Sequence, residues 1–150
     1  MKYWLIKSEP ESYSIDHLKR DGKTEWTGVR NFQARNFMRE MEKGDQILFY
    51  HSNCSEPGVY GIAKVTRRAA PDETQFDKSG HYFEPRATRE KWIWDCAQVG
   101  FVNKFKKPVL LGPMKIDPVL KDMFILRRGS RLSVTPVSKK EFERIMQLGE

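Results

Sequence analysis

Apolar residues fall in short blocks along the chain, some alternating with polar ones and some recurring every three to four positions, with proline, glycine and polar clusters between them. Tyr3 to Lys7 has strand character, and Ser8-Glu9-Pro10 ends it because proline restricts its predecessor and donates nothing to a ladder. Ser14 is placed to cap a short helix through Leu18 that stops near Gly22, and Thr24 to Thr27 then reads as an extended piece carrying Trp26.

Residues 26 to 52 hold the densest signals. Ala34, Phe37, Met38 and Met41 recur at helical spacing, whereas Arg35, Asn36, Arg39 and Glu42 fall on the other faces, which is an amphipathic helix docked on a core. Asn31 stands at its N-cap, and Gly44 is expected to close it as a left-handed C-cap. Gln46 to Tyr50 reads as a buried strand that delivers Tyr50, His51 and Ser52 to its end, level with Gly28, Arg30 and Asn31 at the helix start. A helix N-terminus beside an arginine is an anion site in waiting. Arg30 and Asn31 equally suit a structural cap, and local sequence leaves both readings open.

Val59 to Val65, after Glu56-Pro57-Gly58, reads as the antiparallel partner of the Tyr50 strand. Pro71 to Gly80 is polar and reads as a loop; Trp92 to Trp94, Val99 to Phe105, Val109 to Leu111 and Leu132 to Thr135 are further strand candidates. Asp117 to Met123 reads as a helical turn with Pro118 at its first position, and Ser138-Lys-Lys-Glu141 is a capping box opening a final helix whose inward face is Phe142, Ile145 and Met146. Short strands with a few helices imply a single α+β domain over 1–150, with a small barrel as the expected form.

Composition narrows the partner. The chain has 39% hydrophobic and 12% aromatic residues, which excludes a disordered polyelectrolyte, and its formal charge of +7 favours a polyanion. Basic residues are spread from Lys2 to Arg144, so a merely solvated basic surface is the competing account. Cys54 and Cys96 lack metal-ligand spacing and any disulfide-rich pattern, the first ten residues turn polar too early for a signal peptide, and no apolar run is long enough for a membrane; a soluble cytoplasmic protein is expected.

Chemistry of the enzymatic kind has little support. His17, His51 and His81 have no neighbours at metal-ligand spacing, so neither metal nor cofactor is expected, and no phosphate-binding glycine loop occurs. A triad drawn from Ser8 or Ser52, His51 and Asp72 lacks a nucleophile elbow. Trp26 and Tyr50 beside polar side chains point instead to stacking on a planar base whose edge is hydrogen-bonded.

Taken jointly, Tyr3-Trp-Leu-Ile-Lys-Ser-Glu-Pro10, Trp26-Thr-Gly-Val-Arg-Asn-Phe-Gln-Ala-Arg-Asn36, Gly44-Asp45, Phe49-Tyr-His-Ser52, Gly61-Ile62, Pro71-Asp72 and Arg131-Leu-Ser-Val134 resemble the EVE domain family, relatives of PUA-like and YTH domains. The resemblance spans almost the whole chain. It implies a PUA-like small β-barrel flanked by helices and a non-enzymatic pocket for a modified, flipped base, with modified cytosine in DNA favoured. The YTH pocket pattern falls on Lys7-Ser8 and Trp26-Thr27. The expected nucleobase pocket is therefore Lys7, Ser8, Glu9, Trp26, Thr27, Asn31, Tyr50, His51 and Ser52, with Arg30, Arg35 and Arg131 on phosphate. The loop Ser52 to Gly58 has no aromatic where the YTH pattern places a second wall, and Tyr50, Tyr60 and Tyr82 are the substitutes. Two other functions stay open: an accessory protein for tRNA or other structured RNA that needs no modification, and a small-molecule-binding or hydrolytic enzyme.

Overall fold

The computed structural model describes residues 1–129 and 131–150. Six strands, β1 (Tyr3–Ser8), β2 (Lys23–Glu25), β3 (Gln46–His51), β4 (Gly58–Pro71), β5 (Asp95–Leu110) and β6 (Val134–Val137), form one mixed sheet in the order β2-β5-β4-β3-β1-β6. β1 and β3 run parallel, Tyr3 beside Gln46 through Ser8 beside His51, and every other pairing is antiparallel. The order starts at β2 and ends at β6, so the expected α+β fold is present with a sheet that is not closed among the described residues, and the small barrel expected with it is not established.

Four helices cover the sheet: α1 (Ile15–Asp21), α2 (Phe32–Glu40), α3 (Leu111–Ile116) and α4 (Lys139–Gly149). Alternation along the central strands builds a core on each face. Trp4, Ile6, Ile47 and Phe49 pack under α1 and α2 with Leu18, Ala34, Met38 and Met41, while Leu5, Leu48 and Tyr50 point the other way to Met114, Phe142 and Ile145 of α3 and α4. At full burial each leucine, isoleucine, methionine and phenylalanine among them contributes about 1.5–3 kcal/mol.

The predicted caps of α1 and α4 form, with one surprise: the box of α1 is closed by His17, whose Nδ1 accepts from the Ser14 N–H at 2.8 Å. Asn31 caps α2 by accepting from the Ala34 N–H at 3.0 Å. Gly44 is not the C-cap. α2 ends at Met41 with extended backbone, and Gly44, at φ +97°, serves the turn into β3, where Asp45 accepts from Trp4 Nε1 at 3.0 Å.

Other boundaries differ for long-range reasons. Val99 to Phe105 and Val109 to Leu110 are parts of the single strand β5, kept continuous across register shifts against β4, which itself runs on to Pro71, while Leu111, expected in the strand, opens α3. Glu73–Phe76 is a 3₁₀ turn rather than loop. Trp92 to Trp94 is not a strand, because the buried Gln75 side chain occupies its backbone: Oε1 accepts from the Ile93 and Trp94 N–H groups at 3.0 and 2.9 Å, and Nε2 donates to the Trp94 carbonyl at 2.7 Å. Asp117 to Met123 forms turns: after the C-cap of α3 the Asp117 carbonyl accepts from the Leu120 and Lys121 N–H groups at 3.1 and 2.9 Å, one helical turn with Pro118 at its first position that does not extend into a helix. Among the described residues no helix is long and apolar enough to cross a membrane.

Candidate nucleic-acid interface

The ends of β1 and β2 lie at one cleft. Leaving β1, the chain brings Lys7, Ser8 and Glu9 to it, and leaving β2 it brings Trp26, Thr27, Gly28 and Val29. Ser12, Tyr82 and Ser133 complete this wall, and the adjoining lobe, of ≈ 290 Å³, adds Tyr13, Thr24 and Glu25. That is near the lower end of small-ligand cavities, about 300–1,000 Å³.

Trp26 is 9% exposed. Its backbone N–H donates to the Ala97 carbonyl at 2.8 Å, and Tyr13 and Phe49 meet its ring edge-on at 6.0 and 5.6 Å. It is both part of the core and a lining of the cleft. Tyr82 is 41% exposed and rests on Gly28, whose φ of +84° and lack of a β-carbon admit the ring.

A buried carboxylate fixes this arrangement. Asp72 accepts at Oδ2 from the Gly28 N–H at 2.9 Å and from Arg30 Nη1 at 3.1 Å, and at Oδ1 from the Thr74 N–H at 2.9 Å and its hydroxyl. Burial works to raise the Asp72 carboxyl, but the hydrogen bonds from Thr74, Gly28 and Arg30 outweigh it and hold the group below its ordinary value. Arg30 Nη2 also donates to Thr74 Oγ1 and to the Tyr82 carbonyl, each at 3.0 Å, and its guanidinium lies 5.1 Å from the Tyr82 ring and 5.4 Å from that of Trp94. Glu9 accepts at Oε1 from Asn53 Nδ2 at 2.8 Å, across a loop where Asn53 takes φ +51°. Lys7 is half-buried and burial lowers its pKa.

Of the expected pocket residues, Lys7, Ser8, Glu9, Trp26 and Thr27 line the cleft; Asn31, Tyr50, His51 and Ser52 do not. Tyr50 alternates onto the α3/α4 face, where burial pushes its hydroxyl up to about 12. His51 Nε2 accepts from the Ile15 N–H at 3.1 Å and its ring stacks on Tyr60 at 4.1 Å, while the Ser52 N–H donates to the Ser8 carbonyl at 3.0 Å. Asn31 faces a second, neighbouring cleft. Arg30 is engaged internally as described, and Arg35 donates to the Ile93 carbonyl at 2.9 Å with its guanidinium over Phe32, so both are held by protein groups; Arg131 is exposed in the second cleft. His51 and Asp72 serve separate partners, so the hydrolytic triad is not assembled. Sequence reasoning missed Ser12, Tyr13, Thr24, Glu25, Gly28, Val29 and Ser133 as lining, and the role of Asp72, whose bond to Gly28 spans 44 positions; the one signal was that Pro71-Asp72 and Trp26-Thr-Gly28 belong to the same set of motifs.

The sequence pattern of the EVE domain matches residues 2–148. Thymocyte nuclear protein 1 of Homo sapiens is 39% identical over 167 residues, covering 99% of this chain and 74% of that protein. Among solved structures, a Pseudomonas syringae protein superposes with a TM-score of 0.95 at 47% identity, covering 99% of each chain. The human THYN1 protein, crystallised in complex with 5-methylcytosine-containing DNA, superposes with a TM-score of 0.92 at 37% identity, covering 100% of this chain and 98% of that one.

Proposed function

The chain belongs to the EVE domain family, and from that premise we propose that it is a non-enzymatic module that binds nucleic acid by holding a flipped, modified base, 5-methylcytosine in DNA foremost, in the cleft lined by Trp26 and Tyr82. The observation that carries the reading is that these two aromatic side chains line one cavity with the hydroxyls of Ser8, Ser12, Thr27 and Ser133, the Glu9 carboxylate and Lys7, only Gly28 and Val29 adding no polar side chain. A base entering between aromatic residues gains about 1–3 kcal/mol of stacking, on the scale of the few kcal/mol that extrusion costs. Ser8, Thr27 and the free oxygen of Glu9 are the groups that would satisfy its edge; a carboxylate accepts from the exocyclic amine of cytosine or adenine and repels a carbonyl. Asn53 holds Glu9 for that task through the 2.8 Å bond.

The relative crystallised with 5-methylcytosine-containing DNA favours DNA and modified cytosine for this chain. Competition tests the reading: a labelled single-site oligonucleotide containing 5-methylcytosine is displaced by unlabelled modified DNA, by the same DNA unmodified, and by a structured RNA without modification. Preferential displacement by modified DNA is expected. Equal displacement by the RNA would overturn the proposal in favour of general RNA binding.

A further inference from the structure

The second cleft, of ≈ 330 Å³, is lined by Asn31, Gln33, Phe124, Arg127, Arg128 and Arg131 together with Leu132. Its charge is not balanced from within. Elsewhere arginines are mostly matched by carboxylates, among them Arg30 by Asp72, Arg39 by Asp95 and Arg144 by Asp117. Arg127, Arg128 and Arg131 are exposed, and among the described residues no carboxylate pairs with any of them or lines the cleft. The guanidinium of Arg127 is steadied 4.6 Å from the ring of Phe124. α2 opens into the same cleft with no acidic residue in its first turn, so its positive end adds to the field instead of being neutralised.

Position gives the cleft its meaning. Its lining continues along the chain into that of the Trp26/Tyr82 cleft: Val29 lines one and Asn31 the other, and Ser133 lines one while Arg131 and Leu132 line the other. Lys7, at the Trp26/Tyr82 cleft, donates its backbone N–H to the Ser133 carbonyl at 2.9 Å, tying the partition to β1. We propose that Arg127, Arg128 and Arg131 form the backbone subsite of the interface, binding phosphodiester groups next to the nucleotide whose base occupies the neighbouring cleft. This rests on the reading of that cleft as a base site. The subsite carries no sequence information, since guanidinium–phosphate pairs set register and affinity while base contacts set selectivity.

The test is the dependence of affinity on salt, measured for the folded chain with matched single-stranded oligonucleotides carrying cytosine or 5-methylcytosine. On a single strand, each phosphate that is no longer neutralised takes about 0.7 from the slope of log K against log salt. Arg127→Gln/Arg128→Gln/Arg131→Gln should therefore lower the slope by about two and weaken both oligonucleotides alike, leaving their ratio unchanged. Arg128→Gln/Arg131→Gln keeps the packing of Arg127 on Phe124 and guards against a folding artefact; it should lower the slope by about 1.4. Arg68, exposed and outside the cleft, is the control: Arg68→Gln should leave the slope alone. An unmoved slope in the triple variant, or a shift per arginine no larger than that of Arg68→Gln, overturns the backbone subsite even if the methyl preference persists. A fallen slope with no methyl preference in any protein upholds the backbone subsite and removes the base reading instead.

Discussion

The ring of Tyr82 lies on the α-carbon of Gly28, so closely that a β-carbon built there would sit 2.8 Å from Tyr82 Cζ. A wall of the candidate base cleft thus depends on a hydrogen atom at position 28, and on the Asp72 carboxylate that holds the Gly28 N–H. Gly28→Ala should displace Tyr82 and, with φ at +84°, cost about 1–3 kcal/mol of stability. Tyr82→Ala, removing an exposed ring, should leave the melting temperature nearly intact while binding weakens by about 1–3 kcal/mol. Thermal unfolding and oligonucleotide titration of the two variants check this; a Tyr82→Ala protein with wild-type affinity would remove Tyr82 from the cleft's function.

Trp26 calls for a gentler substitution, because its ring is a core element as well as a cleft lining. Trp26→Ala should cost about 3–5 kcal/mol of stability and unfold much of the protein, confounding any binding measurement. Trp26→Phe keeps an aromatic face and most of the packing, and should bind measurably but more weakly than wild type. Circular dichroism with titration separates the effects; a stable, fully folded Trp26→Ala protein would contradict the burial of this ring.

Arg30 should prove to be a positioning residue. Arg30→Ala leaves the Asp72 carboxylate buried without its cation, and the loss should approach the about 3–5 kcal/mol of a broken buried pair, reduced because the Arg30 side chain is 21% exposed. The salt slope of nucleic-acid binding should stay as in wild type. A stable Arg30→Ala protein with a lowered slope would instead make Arg30 a phosphate ligand.

The same network sets an acid limit. The folded Asp72 pKa lies below the unfolded one, so its contribution is complete above about 3.9 and is lost as pH falls through the folded value. Asp72→Asn should lower the melting temperature at pH 7 and flatten the decline below pH 4. Melting curves from pH 7 to 2 decide it, and an unchanged acid limb would reject this assignment.

His51 makes a second, milder pH dependence. Burial lowers its pKa, and its Nε2 must be unprotonated to accept the Ile15 N–H at the start of α1. The folded pKa is depressed, so this stability is complete above the unfolded value of about 6.5 and is lost as pH falls from there through the folded value. His51→Gln retains an acceptor without titrating and should flatten the melting temperature between pH 7.5 and 5. An undiminished decline in that variant would point to another group.

What sequence made legible was local, and what it hid was long-range. The caps at Ser14, Asn31 and Ser138, the apolar stripe of α2 and the strands β1 and β3 follow from spacing and capping chemistry within a few residues. The bond from Gly28 to Asp72 spans 44 positions, and the choice of Tyr82 among three tyrosines depends on it: Tyr60 is taken up by stacking on His51, and Tyr50 alternates to the opposite face. Trp92 to Trp94 has the residues of a strand, but Gln75, eighteen or nineteen positions away, supplies the hydrogen bonds that a neighbouring strand would.

Recognition of a modified base in the Trp26/Tyr82 cleft is decided by titrating wild-type protein with two oligonucleotides differing only in the 5-methyl group of one cytosine. Burying one methyl contributes roughly 0.8–1 kcal/mol, so a preference of about fourfold or fivefold is expected from burial alone, rising toward tenfold where the fit is tight. The preference should disappear in Tyr82→Ala. Equal affinities of the wild-type protein for the two oligonucleotides would contradict the claim.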